Sequence, residues 1–145
     1  MTLSYFDSSV ILSILLEEER QEEANGYWQN TIRVSSILLR IETILVLRRV
    51  YETNKYKLEN DWLNKKTKIL DEYLNEVNFM ILDHTIERGI YFRKELAKCR
   101  SLDAIHIATA LYFKEINNNE ETCLYTFDKT MHSLAGHYGF KTNKI

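Results

Sequence analysis

The sequence predicts one α/β domain, with a mostly parallel sheet and helices on both faces. Three observations carry this. Short apolar runs that suit buried strands alternate along the 145 residues with longer segments of helical period. There is no proline and there are only four glycines, which disfavours a turn-rich all-β fold and suits long helices joined to short strands. Hydrophobic residues make up 45% and charged residues 28%, the balance of a chain with a full core and not of a disordered one. No linker, repeat or low-complexity segment divides the chain, so a single domain is expected over 1–145.

The elements follow in order. Leu3 to Phe6 predicts a buried first strand ending at Asp7. Ser8 and Ser9 are N-cap candidates for a helix that carries Val10, Ile11, Leu12, Ile14, Leu15 and Leu16. Residues 25–30 read as a connection or a short helix. Ile32 to Ser35 predicts a second strand, and Ser35 or Ser36 caps a helix from Ile37 to Thr53. On that helix Ile37, Leu38, Ile41, Leu45, Val46 and Val50 are expected to face the core, with Glu42 on or beside them. Polar residues 54–60 turn the chain into a helix from Asp61 to Val77, and the two helices form an antiparallel hairpin. Asn78 to Asp83 predicts a third strand, and a helix runs from His84 to about Cys99. Ser101 to Lys114 is apolar almost all round, which predicts a central, buried helix. A loop at Asn117–Asn119 leads to a fourth strand, Cys123 to Thr126, and a helix of about Thr130 to Tyr138. Gly139 suits the end of that helix, and 140–145 adds an edge strand.

The net charge of −2 provides no global field to grip nucleic acid, so any such binding must rest on local patches or a bound metal. Cys99 and Cys123 are too few for a disulfide framework and are expected to be reduced. The first seven residues do not form a signal peptide, and no stretch approaches the ~20 apolar residues of a spanning helix. A cytoplasmic protein that does not engage membranes is expected.

Four carboxylates stand out: Asp7, Glu42, Asp103 and Asp128. Parallel strands bring their carboxyl ends to one edge, where open α/β sheets bind ligands. Asp7 and Asp128 follow strands, and Glu42 and Asp103 lie on helices that can flank them. Singly, each has an ordinary reading as a turn residue, a cap or an ion-pair partner. Together they would repel by ~4 kcal/mol per pair at 4 Å and an effective dielectric of 20. Protonation or a cation relieves that repulsion. An all-oxygen donor set suits Mg²⁺ or Mn²⁺, and zinc-type ligand spacing is missing. A hard cation among carboxylates is equipment for phosphodiester hydrolysis.

The segments YFDSSVILSIL at 5–15, SSILLRIETILVLRR at 35–49, RSLDAIHIATALYF at 100–113 and LYTFDKTMHSLAGHYGFK at 124–141 resemble the PIN-domain nucleases, and more closely the VapC-type toxins. The likeness runs through essentially the whole chain, and LDAIHIATAL and TFDKTM are its most specific parts. It implies a three-layer α/β/α sandwich and a ribonuclease that cuts endonucleolytically, usually in a structured RNA such as tRNA. It also implies a VapB-like antitoxin partner, and homodimers are common among such proteins. Asp7, Glu42, Asp103 and Asp128 fall on the acidic positions, Thr126 on the hydroxyl before the last acid and Ser8 on the hydroxyl after the first. Several such proteins carry a further acid four residues before the third, where this chain has Cys99. One firm metal is therefore expected, and a second only with RNA bound.

On this reading Asp7, Asp103 and Asp128 are metal ligands, Glu42 orients the water, and Ser8 and Thr126 support the carboxylates. His106, one turn beyond Asp103, is given a structural role. Arg48, Arg49, Lys55, Arg93, Lys98 and Arg100 are the candidate RNA contacts, within basic stretches of 48–68 and 87–100. The alternatives are a PIN-domain RNA-processing nuclease without an antitoxin, and a PIN-like module that binds RNA or protein without cutting.

Overall fold

The structure, a computed structural model, describes residues 1–145. Five strands, β1 (Thr2–Phe6), β2 (Thr31–Ser36), β3 (Val77–Met80), β4 (Thr122–Tyr125) and β5 (Lys141–Thr142), form one sheet in the order β3-β2-β1-β4-β5. Every neighbouring pair is parallel. The helices are α1 (Ser8–Leu15), α2 (Gln21–Trp28), α3 (Leu38–Thr53), α4 (Trp62–Leu74), α5 (His84–Tyr91), α6 (Ser101–Ile116) and α7 (Lys129–His137). A 3₁₀ turn spans Lys94–Lys98.

Two adjacent residues of β1 show how the layers arise. Successive strand side chains point to opposite faces. Tyr5 joins a core with Ile107, Ala110 and Phe113 of α6 and Met131 and Leu134 of α7. Phe6 joins another with Val10 and Ile11 of α1, Trp28 of α2, Leu39 and Leu47 of α3 and Leu70 of α4. Both side chains are fully buried, so the sheet is covered on both faces, as parallel sheets are. The result is the α/β/α sandwich. No helix of the structure is long and apolar enough to cross a membrane.

Several local expectations are corrected. Asp7, not Ser8 or Ser9, caps α1, because its carboxylate accepts the Ser9 amide. Residues 21–28 form a true helix, anchored by buried Trp28. Val77 opens β3 instead of ending α4, and β3 stops at Met80. The helix expected from His84 to Cys99 breaks after Tyr91, where Arg93 leaves helical geometry and its guanidinium turns back to the Gly89 carbonyl at 2.8 Å.

The largest correction concerns α3. Its buried residues are Leu39, Thr43 and Leu47, at i, i+4 and i+8. Ile41, expected in the core, is 50% exposed, and Leu45 is exposed as well. Thr43 hides the stripe from a hydropathy reading. Its hydroxyl donates to the Leu39 carbonyl at 2.7 Å, so a polar residue is satisfied inside the core. Leu47→Ala is expected to destabilise the protein by about 2–5 kcal/mol through an unfilled core position. Ile41→Ala should cost about 0.5 kcal/mol or less. Urea unfolding of the two variants checks this, and equal costs would contradict the assigned face.

The end of α7 is closed by Gly139, at φ +82, with Phe140 N donating to Ala135 O and Gly139 N to Gly136 O. That turn sends the chain back along the sheet as β5, and it brings Asn143 to the carboxyl end of β4.

Candidate active site at the carboxyl edge of the sheet

The strand order reverses between β1 and β4, and a crevice forms at the carboxyl ends of the strands where such a reversal occurs. Asp7 follows β1 there, and Thr126 to Asp128 follow β4. Asp7 is only 4% exposed, and both its oxygens are engaged. Ser9 donates to Oδ1 from its hydroxyl at 2.5 Å and its amide at 3.1 Å. Thr126 Oγ1 donates to Oδ2 at 2.6 Å and accepts the Asp128 amide at 3.0 Å. One buried hydroxyl therefore ties the first acid to the last. Asp128 Oδ1 in turn caps α7 by accepting the Met131 amide at 2.8 Å.

The hydroxyl on Asp7 after the first acid belongs to Ser9 and not to Ser8. An N-cap carboxylate reaches the second residue of the helix, and that geometry selects Ser9. Ser9 Oγ also accepts the Phe127 amide at 2.9 Å, a second link between the β1 and β4 ends.

Glu42 reaches the site from α3. Its Oε1 lies 2.5 Å from His106 Nε2, and His106 Nδ1 lies 2.6 Å from Tyr5 Oη. The Ser36 amide donates to Tyr5 Oη at 3.1 Å. His106 and Tyr5 are buried, and Glu42 is half-buried. Asp103 stands in the first turn of α6, with Arg100 Nε 3.6 Å from its Oδ2.

The electrostatics show which acids sense one another. Burial pushes the Asp7 carboxyl up from its ordinary value, the Ser9 and Thr126 hydrogen bonds and His106 pull it back, and Glu42 pushes it up again. Burial also raises Asp103, and Asp128 adds to the rise, while Arg100 and His106 oppose it. The Cys99 thiol is raised by burial and by Asp103 and Asp128, which puts Cys99 beside that pair. Asp7 therefore feels the charge of Glu42, and Asp103 that of Asp128. Thr126 links Asp7 to Asp128, and His106 touches Glu42 and acts on both Asp7 and Asp103.

No three His, Cys, Asp or Glu side chains stand close enough together to hold a metal ion as they are placed. The donor chemistry still fits a hard divalent cation. Asp7, Asp103 and Asp128 offer only oxygen donors, and the repulsion from Asp128 that adds to burial in raising Asp103 is what such a cation would relieve.

The expected RNA contacts separate. Arg100 lies by Asp103, and Lys98 is exposed on the preceding 3₁₀ turn. Arg48 and Arg49 are exposed on α3. Lys55 pairs with Glu52 at 2.8 Å, and Arg93 with Glu115 at 3.2 Å, so these two are tied to neighbouring acids.

Ser9, Tyr5 and Asn143 belong to the site's framework without having been singled out for it. Asn143 is 5% exposed. Its Oδ1 accepts the Thr126 amide, and its Nδ2 donates to the Thr126 carbonyl, both at 2.9 Å. The alternation of apolar residues around Leu124 shows a strand but not which side chain would finish its ladder, so no local signal marks Asn143.

The family model for the PIN domain matches residues 4–137, nearly the whole chain. No curated protein matches the sequence. Among solved structures the chain is similar to one described as a toxin–antitoxin complex from Klebsiella pneumoniae. The identity is 18%, the TM-score is 0.64, and the match covers 98% of this chain and 99% of that chain.

Proposed function

This chain belongs to the PIN-domain family, whose members are generally nucleases, and from that premise we propose that it is a Mg²⁺- or Mn²⁺-dependent endoribonuclease serving as the toxin of a VapBC-type pair. The observation that carries the nuclease reading is the acidic carboxyl edge at the β1–β4 reversal, where one buried hydroxyl links Asp7 to Asp128 and Asp103 repels Asp128. The toxin reading is supported by the similar fold of a chain from a toxin–antitoxin complex. On this reading the protein acts in the cytoplasm, as a homodimer, on a structured RNA such as tRNA, and is restrained by a VapB-like antitoxin.

Asp7, Asp103 and Asp128 are the residues that would hold the metal, with one firm site and a second formed with RNA. Bound there, the ion supplies Lewis-acid stabilisation of the phosphate and a more acidic water. The chain's own residues do the rest. Ser9 and Thr126 fix both oxygens of Asp7, which leaves its orientation no freedom. Glu42 orients the water that attacks phosphorus in line with the departing ribose oxygen. Water attack leaves a 5′-phosphate and a 3′-hydroxyl. Arg100 and Lys98 approach the phosphates beside Asp103, and Arg48 and Arg49 extend the contact along α3. An antitoxin arginine or lysine entering the same carboxylates would take the place of the cation.

Purified protein incubated with cellular RNA should cut when Mg²⁺ or Mn²⁺ is present and stop when EDTA is added. Cleavage that continued in EDTA would reject the metal-dependent mechanism. Sequencing the new RNA ends identifies the substrate.

A further inference from the structure

His106 sits in the middle of the site, yet the nuclease reading gives it no task. It is buried on α6, one turn beyond Asp103, and both of its ring nitrogens are engaged. Packing alone does not explain it. The rest of this helix is lined by Ala104, Ile107, Ala108 and Leu111, and an apolar residue would fill the same space without two nitrogens to satisfy.

The hydrogen bonds around the ring run in one direction. The Ser36 amide donates to Tyr5 Oη. The Ser35 side chain also faces that oxygen, so the direction is set from the other end of the hydrogen-bond chain, by Glu42. Glu42 Oε1 lies 2.5 Å from Nε2 and needs a proton there, so the ring's own proton lies on Nε2 and Nδ1 accepts from the Tyr5 hydroxyl. A carboxylate can only accept, so the direction is consistent from the β2 backbone to Glu42. No protein donor bonds Glu42 Oε2. Tyr5 and Ser36 belong to adjacent strands of the sheet, so the chain is anchored in its most rigid part.

We propose that His106 is a positioning residue for Glu42: its ring, buttressed by Tyr5 and carrying its proton on Nε2, clamps Oε1 and leaves Oε2 to orient the attacking water. This rests on the reading of Glu42 as the water-orienting carboxylate. The clamp matters because Glu42 extends from a helix face with three side-chain torsions, and an unheld carboxylate would spend most of its time away from the reacting geometry.

Two measurements test the proposal. Nitrogen-15 NMR of the metal-free protein reads the His106 tautomer directly, without any substitution. The expected result is the proton on Nε2, and a proton on Nδ1 overturns the proposal. The second measurement compares His106→Gln with His106→Asn. The glutamine amide reaches the position of Nε2, whereas the asparagine amide reaches only that of Nδ1. His106→Gln should keep kcat within about 3-fold of the parent, and His106→Asn should lower kcat by about 10–100-fold with little change in KM. Parent-like kcat in a folded His106→Asn, or equal losses in both folded variants, overturns the proposal. If the parent protein itself does not cut RNA, the nuclease reading fails separately, and the tautomer still decides whether the clamp exists.

Discussion

Asp7→Asn and Asp103→Asn should each lower RNA cleavage by at least ~10²-fold, the order lost when a charge-stabilising group is removed from an active site. Neither should unfold the protein. Asp7 shows why. Burial raises its carboxyl, so the folded state holds a proton there more tightly than the unfolded state does. Between the unfolded value, about 3.9, and the higher folded one, the unfolded chain binds fewer protons, and stability falls as pH rises. Above both values the loss is complete. The asparagine side chain does not titrate and so escapes this loss. Its Oδ1 still accepts from Ser9, and Thr126 can turn its hydroxyl to accept from Nδ2. Asp7→Asn is therefore expected to gain stability relative to the parent as pH rises from 4 to 7. Urea unfolding at both pH values, in EDTA, measures this. A gain that shrank with rising pH would show the sign to be wrong, and undiminished cleavage would remove Asp7 from the mechanism.

Asn143→Ala is expected to be among the most damaging single substitutions for stability outside the apolar core. Thr126 is fully buried, and its backbone amide and carbonyl are both paired with the Asn143 side chain. Removing that side chain leaves two buried backbone groups without partners. At about 1–3 kcal/mol each, the loss is about 2–6 kcal/mol. Asn143→Asp should also be costly, because it keeps the acceptor for the amide but turns an oxygen toward the Thr126 carbonyl. Cleavage should fall as well, since Thr126 holds Asp7 and Asp128 in register. The denaturation midpoint checks the stability change, with the denaturant slope unchanged. A loss under about 0.5 kcal/mol, the range of ordinary surface substitutions, would mean that the clamp does not secure the β4 end.

The sheet and its helices were legible in the sequence because their signals are local. Strand one is a short apolar run, α6 is apolar around its whole circumference, and Gly139 marks the end of α7 where a positive φ is needed. The face of α3 was misread because Thr43 looks polar while its hydroxyl is satisfied within its own helix. The site divided along the same line. Asp7, Asp103 and Asp128 each stand at a strand end or a helix start, positions that a topology can place. Their supports are long-range pairings: Thr126 with Asp7 across 119 residues, His106 with Tyr5 across 101, Glu42 with His106 across 64. No local pattern encodes such partners. The choice between Ser8 and Ser9 was local, yet it turned on which cap geometry Asp7 adopts, and both residues are serine.

The placement of β1 also governs when the acidic edge comes into being during synthesis. β1 lies at the middle of the sheet and is made first, but its neighbour on one side, β4, is made more than a hundred residues later. Until then the nascent sheet has β1 as an open edge, and Asp7 has neither Thr126 nor Asp128 beside it. A translating ribosome therefore carries a chain whose candidate site is incomplete, and the site closes only when the last strands emerge and dock.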